Sequence, residues 1–214
     1  MGFIRARSDE QKELRYAEIR AAAIRLYAEM GYEEITLAAI AREAGFTRSN
    51  LYKYYSSKDE IFLEILMTDI VAWREDLQCR LKGKPCSIGE FATRFAQSYL
   101  NHARLLDSLT ILFVFIEKNA SVENLTGFKA GLKNEMANLV GLTCMALPAM
   151  SVQQAEEFLI MQISTANGLY PMTNLTEKQQ QAVLAAGLDN PHGSFEHRFR
   201  NIIEAYLRGV LNNM

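Results

Sequence analysis

Proline and glycine are scarce, at 4 and 12 of 214 residues. Both interrupt helices, so their scarcity favours long helices and excludes collagen-like, mucin-like and proline-rich linker architectures. No run reaches the roughly 18 consecutive apolar residues of a membrane-spanning helix, so no membrane partner is expected. The start, Met1-Gly2-Phe3-Ile4-Arg5, lacks the apolar stretch of a secretion signal, and Ala6 stands where N-myristoylation wants Ser or Thr. Cysteine is limited to Cys79, Cys86 and Cys144. An odd number with no histidine beside Cys79 or Cys86 fits neither a disulfide framework nor a zinc pattern, and reads as reduced thiols in a cytoplasmic protein.

Charge of one sign is also missing. There are 23 Lys and Arg against 25 Asp and Glu, a net of −2. Residues 1–60 hold ten of each sign, leaving thirteen and fifteen for residues 61–214. A chain coated in positive charge is excluded, so any nucleic-acid binding must use a small local set of donors. Catalytic constellations are absent too. No Gly-x-Ser-x-Gly, His-Glu-x-x-His or Gly-x-x-x-x-Gly-Lys run occurs, and the histidines are scattered at 102, 192 and 197. Asp189, His192 and Ser194 share one loop, but Ser194 is explained as a helix cap. The chain reads as a non-enzyme, with no cofactor and no metal.

Helical periodicity is what the sequence has in abundance. Ile19, Ala22, Ala23, Leu26, Tyr27 and Met30 mark one helix face, and Gly31 is a stop signal. With Ser8 as cap, a first helix is predicted over about 9–30, preceded by a flexible arm, 1–8. Thr36 caps a short helix ending at Gly45, and Thr47 caps another from Arg48 to Tyr54. Two short helices joined by a glycine turn have the form of a helix-turn-helix. Ser57-x-x-Glu60 is a capping box opening a long helix that closes at Gly83. Ser87-x-x-Glu90 opens the next. Further helices are predicted over about 108–118 (capped by Asp107), 122–147 (Ser121), 152–170 (Ser151, stopped by Pro171), 176–186 and 195–211 (Ser194). The fold class is all-α: an N-terminal three-helix helix-turn-helix domain, residues 1–57, then a helical bundle, 58–214, with helix 58–83 linking them.

Within residues 19–62, the run Ala22-Ala23…Leu26-Tyr27…Gly31-Tyr32…Thr36…Ile40-Ala41…Ala44-Gly45-Phe46-Thr47…Leu51-Tyr52-Lys53-Tyr54-Tyr55-Ser56-Ser57-Lys58…Ile61-Phe62 resembles the DNA-binding domain of TetR-family (tetracycline-repressor-like) transcriptional regulators. The departures are Ser49, where the family often has Gly or another small residue, and Tyr54-Tyr55, where His-Phe is common. The resemblance implies a homodimeric regulator that binds a pseudo-palindromic double-stranded operator, usually as a repressor, and that is released by a small-molecule effector. The DNA-binding candidates are Thr36, Thr47, Arg48, Ser49, Asn50, Tyr52, Lys53, Tyr54 and Lys58.

Physical chemistry assigns them separately. The hydroxyl of Thr47 can cap its helix or meet phosphate. Arg48 can give two hydrogen bonds to guanine or contact backbone, and Asn50 can read adenine or bind backbone. Lys53 is divided equally between base and phosphate. Tyr52 and Tyr54 project outward as amphipathic donors, with Tyr52 on the backbone by resemblance. Lys58 points toward that same backbone. Arg5 and Arg7 in the arm can enter a minor groove or remain solvated.

The C-terminal region is less specific. Trp73, Phe95, His102, Phe113, Phe128, Met136, Met161 and Thr165 form a candidate ligand pocket, since aromatic and methionine linings suit apolar molecules, although core packing explains such residues equally well. His102, Thr110, Thr143, Gln162, Thr165 and Asn167 are polar interruptions in apolar stretches, and a buried polar group needs a partner, which protein, water or ligand can supply. The final helix carries a wide apolar stripe. By resemblance, Phe158, Phe199, Ile203, Tyr206, Leu207 and Val210 form a four-helix interface with a second copy. A helical adaptor that binds only protein is the rival reading, and the cluster of Arg48, Tyr52, Lys53 and Lys58 argues against it.

Overall fold

The computed structural model describes residues 2–188 and 193–211, with side chains from Asp9 onward. Among the described residues there is no strand. The helices are α1 (Gly2–Glu29), α2 (Leu37–Glu43), α3 (Arg48–Leu51), α4 (Lys58–Leu81), α5 (Ile88–Leu100), α6 (Ala103–Ile111), α7 (Glu117–Asn119), α8 (Val122–Ala146), α9 (Val152–Thr173), α10 (Glu177–Ala185) and α11 (Phe195–Leu211). A 3-10 turn covers Tyr32–Glu34, and a π-helical segment covers Leu112–Ile116.

The chain forms two compact units. The first contains the chain up to Thr68 together with Ile111–Lys129; the second contains Asp69–Thr110 and the chain from Ala130 onward. This division departs from the expected boundary at 57/58, because the segment 111–129 joins the N-terminal unit. Helix α4 starts in one unit and ends in the other.

In the first unit, Ile19, Ala22, Ala23 and Leu26 of α1 are buried with Ile40 and Ala41 of α2, Leu51, Tyr55, Ile61 and Phe62. Burying each Leu, Ile or Phe side chain contributes roughly 1.5–3 kcal/mol, so this face orders the short helices that propensity alone could not. The junction of α2 and α3 is a Schellman motif. Phe46 N–H donates to Ala41 C=O at 2.8 Å and Gly45 N–H to Arg42 C=O at 3.2 Å. Gly45 takes φ +73°, the left-handed conformation this motif requires. Thr36 and Thr47 cap the two helices, accepting from the N–H groups of Ala39 and Asn50.

The second unit is built around aromatic rings. Phe91, Phe95 and Tyr99 lie four apart on α5, and Phe195 and Phe199 lie four apart on α11. Ring centroids are 5.4 Å apart for Phe95 and Phe158, 5.5 Å for Tyr99 and Phe199, and 4.6 Å for Trp73 and Tyr99. Such pairs add roughly 0.5–1.5 kcal/mol beyond the area they bury.

Several expectations need correction. The backbone of 2–8 is part of α1, so the arm does not precede the helix and Ser8 is not its cap; the side chains of Arg5 and Arg7 lie outside the described residues. Helix α3 ends at Leu51, and residues 52–54 are turn. Helix α6 starts at Ala103 and not at 108, because the His102 carbonyl already accepts from Leu105 and Leu106 N–H groups; Asp107 is inside the helix. Pro171 does not stop α9, which continues to Thr173. A proline costs a helix one hydrogen bond, and here it falls in the last turn, where little helix remains to disrupt. The loop residues Asp189 and His192 lie outside the described residues.

The proposed dimer residues are corrected most sharply. Phe158, Phe199, Ile203 and Leu207 are fully buried within their own chain, and Tyr206 and Val210 are half-buried. The stripe on α11 is wide because one side, through Phe195, Phe199, Ile203 and Leu207, packs onto α5 and α9. The other side remains, with Ile202 exposed.

Gly45→Ala is expected to destabilise the chain by about 1–2 kcal/mol, the cost of a left-handed non-glycine residue. No atom would obstruct the added methyl, so the effect is purely backbone strain. Urea denaturation measures it, and a neutral Gly45→Ala would show that the turn relaxes to another geometry.

Candidate nucleic-acid interface

The two threonine caps and the Schellman turn fix the start of α3 at the surface. Thr47, Arg48, Ser49 and Lys53 are exposed, Tyr52 is 47% exposed, and Asn50 is half-buried. Thr36 is exposed at the start of α2. Thr47 Oγ1 accepts from Asn50 N–H at 3.2 Å and lies 3.4 Å from Ser49 Oγ. Arg48 donates to the Tyr52 hydroxyl at 3.3 Å, with its guanidinium carbon 5.7 Å from the centre of that ring. The pair lies one helical turn apart, which holds the planar fork of Arg48 in a restricted arc while leaving it open to solvent. Among the described residues, Lys53 has no hydrogen-bond or ion-pair partner.

Two expected contacts change. Tyr54 does not project freely; its ring packs edge-on against Tyr16 at 5.3 Å and Phe46 at 5.9 Å. Lys58 is spent inside the unit. Its ammonium donates to the carbonyls of Tyr32 at 2.7 Å and Ile35 at 2.8 Å, with a longer contact to Glu33 at 3.4 Å, and sits 4.3 Å from the centre of the Tyr32 ring. Three donors meet three carbonyls, so none is left for phosphate. Burial pushes the Lys58 ammonium below the ordinary lysine value. Beside it, buried Asp59 accepts a hydrogen bond from the Tyr32 hydroxyl. The chain patterning concealed this role, because a lysine opening a helix next to a recognition element reads equally well as a phosphate donor.

The structure also adds residues that sequence patterning missed. A groove of about 620 Å³ runs between α1 and the turn after α3, lined by Gln11, Lys12, Leu14, Arg15, Glu18, Lys53 and Tyr54. Arg15 is paired with Glu18 at 2.7 Å, whereas Lys12 has no partner. Lys12 and Lys53 are far apart in sequence, and only the fold brings both ammonium groups to one groove.

The proposed ligand residues are divided between the two units. Phe113 and Phe128 belong to the first unit and the other six to the second. Trp73 and Phe95 are packed core, the indole N–H donating to Ser98 Oγ at 2.8 Å. His102 lies half-buried with its Nε2 3.6 Å from an Asp76 carboxylate oxygen. Phe113 is 52% exposed and Met161 39%, while Met136 and Thr165 are half-buried. Among the described residues, no group of three His, Cys, Asp or Glu could hold a metal ion, and no single helix is long and apolar enough to cross a membrane.

An exposed arginine, amide and lysine displayed from a glycine-turned helix pair define a helix-turn-helix module. Residues 19–65 match the model for bacterial regulatory proteins of the tetR family, and residues 67–213 match the tetracyclin repressor-like C-terminal domain. The chain belongs to the TetR family. It is 38% identical over 61 residues to the HTH-type transcriptional regulator YfiR of Bacillus subtilis (strain 168), a match covering 28% of this chain and 30% of that protein. The matched stretches span only about a third of each such relative, 30%, 39% and 31%. The fatty acid degradation regulator FadR of Bacillus halodurans shares the fold, with a TM-score of 0.58, 14% identity, and coverage of 92% of this chain and 96% of that one. FadR of Bacillus subtilis, crystallised with stearoyl-CoA, superimposes with a TM-score of 0.55 at 16% identity, covering 93% and 99%.

Lys53→Ala is expected to lower the slope of log affinity against log salt by roughly 1 per bound subunit. Lys58→Ala should leave that slope unchanged and instead cost about 1.5–3 kcal/mol of stability, because it removes charged hydrogen bonds to the carbonyls of Tyr32 and Ile35. A reduced slope in Lys58→Ala would return that residue to the DNA contacts.

Proposed function

We propose that the chain is a homodimeric, effector-responsive transcriptional regulator. In this reading the start of α3 enters the major groove of a pseudo-palindromic operator. The observation that carries it is the display of Arg48 on α3, and of Tyr52 and Lys53 in the turn that follows it, at the surface beyond the Thr47 cap. Arg48 suits guanine, whose O6 and N7 accept both arms of the guanidinium. Tyr52 steadies it and reaches the backbone. Lys53 meets phosphate, since it has no other partner.

Two-fold operators call for two-fold proteins. The surface that supports a second copy is the outer side of α9 and α11. Ile160 there is 62% exposed, Met161 and Ile202 are partly exposed, and Tyr206 and Val210 flank them at half burial. The effector is a small, largely apolar molecule bound in the second unit, and repression relieved by that molecule is the sign of action we assign. Helix α4, with Lys58 in its first turn and Trp73 further along, joins the two units covalently and is the path by which binding in one is felt in the other.

Arg48→Ala should cost about 1–3 kcal/mol on the operator and relax base preference at one position per half-site. A uniform loss over all duplexes would make Arg48 a phosphate contact. Ile160→Glu together with Ile202→Glu should give folded monomers by sedimentation, because a carboxylate at a closed interface has no partner. Leu207→Glu should instead unfold the chain. A double glutamate variant that remains dimeric would place the interface elsewhere.

A further inference from the structure

The second unit buries polar atoms that no described residue satisfies. Gln162, on the inner stripe of α9 with Ala155, Phe158, Leu159 and Ala166, has no exposed surface. Neither its Oε1 nor its Nε2 has a hydrogen-bond partner. One and a half turns along the same helix, Asn167 Oδ1 is also buried and unpaired. On α6, Ser108 Oγ is in the same condition, with the residue 2% exposed. By contrast, the other buried polar side chains of this unit are used. Ser98 accepts from Trp73 and donates to the Phe95 carbonyl, Thr143 donates to the Leu139 carbonyl, and Asp69 is held by two hydrogen bonds from Arg104.

Buried polar groups are almost always paired, and a carboxamide has two donors and one acceptor oxygen to satisfy. Retaining one unpaired amid aromatic and alanine side chains weakens the ligand-free fold, and such a cost is kept where a partner arrives from outside. We propose that Gln162 is the polar anchor of the effector site in the second unit. This rests on the reading of that unit as the sensing one.

The chemistry names the class. Gln162 offers a donor and an acceptor side by side, so a head that satisfies it must bring an acceptor for Nε2 and a donor for Oε1. The ligand is therefore a mostly apolar molecule with an uncharged head that both donates and accepts, such as a primary amide or an alcohol. A carboxylate only accepts, so it would leave Gln162 Oε1 unpaired.

The test uses the full-length protein without DNA, so it is independent of operator binding. Gln162→Met matches the side chain's length and removes the unpaired amide. It should raise the melting temperature of the ligand-free protein by about 2–4 °C, the shift that corresponds to roughly 1 kcal/mol in a chain of this size. A lowered melting temperature would show that the amide has a structural partner, such as a trapped water, and would overturn the proposal. The second measurement is calorimetric titration with decanamide and decanoate, which share a tail and differ in head. Decanamide should bind the wild type at least ten-fold more tightly, and Gln162→Met should erase the preference. Equal binding, a preference that survives in the variant, or binding of neither probe overturns the assignment.

Discussion

One ammonium group holds the recognition apparatus in place. Lys58, at the first turn of α4, closes on the carbonyls of the 3-10 turn that precedes α2. Hydrogen bonds from a charged donor such as these contribute about 1.5–3 kcal/mol each. Asp59 next to it takes the hydroxyl of Tyr32, so two successive residues of α4 grip the same short turn from both its backbone and its side chain. The start of α2, and through the Schellman turn the start of α3, inherit their position from this grip. A second clasp lies at the other side of the unit, where Arg20 of α1 bridges Glu13 and Glu64 and the Tyr55 hydroxyl donates to Glu64 at 2.6 Å. The recognition helix is one turn long and could not be ordered by its own hydrogen bonds. Its rigidity is borrowed.

The same turn ties the DNA-binding unit to a distant stretch of chain. Phe115, in the π-helical segment, lies 6.2 Å from the ring of Tyr32, and Tyr32 lies 5.0 Å from Phe62 of α4. Segment 111–129 thus packs with the helix-turn-helix although both its neighbours in sequence belong to the second unit. π-Helical turns concentrate at functional positions, where the widened helix re-aims side chains.

Much of the fold was legible in the sequence, because capping chemistry is local. Ser87 and Glu90, Ser151 and Gln154, and Thr176 and Gln179 all form reciprocal boxes. Ser57 is a partial case: its hydroxyl accepts from Glu60 N–H, but the Glu60 carboxylate returns to Ser56. The TetR motif was likewise readable, being a contiguous string of glycine, threonine and aromatic positions. What escaped was tertiary choice. A stripe as wide as that of α11 has two apolar sides, and sequence does not say which faces the chain's own core; Phe199 and Leu207 proved internal, whereas Ile202 is exposed. The fate of Lys58 depended on carbonyls 23 to 26 residues away. The groove shared by Lys12 and Lys53 required the fold to bring α1 to the turn after α3.

The central claim is that this surface reads DNA as a symmetric pair. Selection of bound duplexes from a random pool by the purified full-length chain, followed by sequencing, tests it most directly. The account predicts an enriched motif with two inverted half-sites whose centres lie about one helical turn, or a multiple of one, apart. Enrichment of a single asymmetric site, or of no sequence at all, would contradict it.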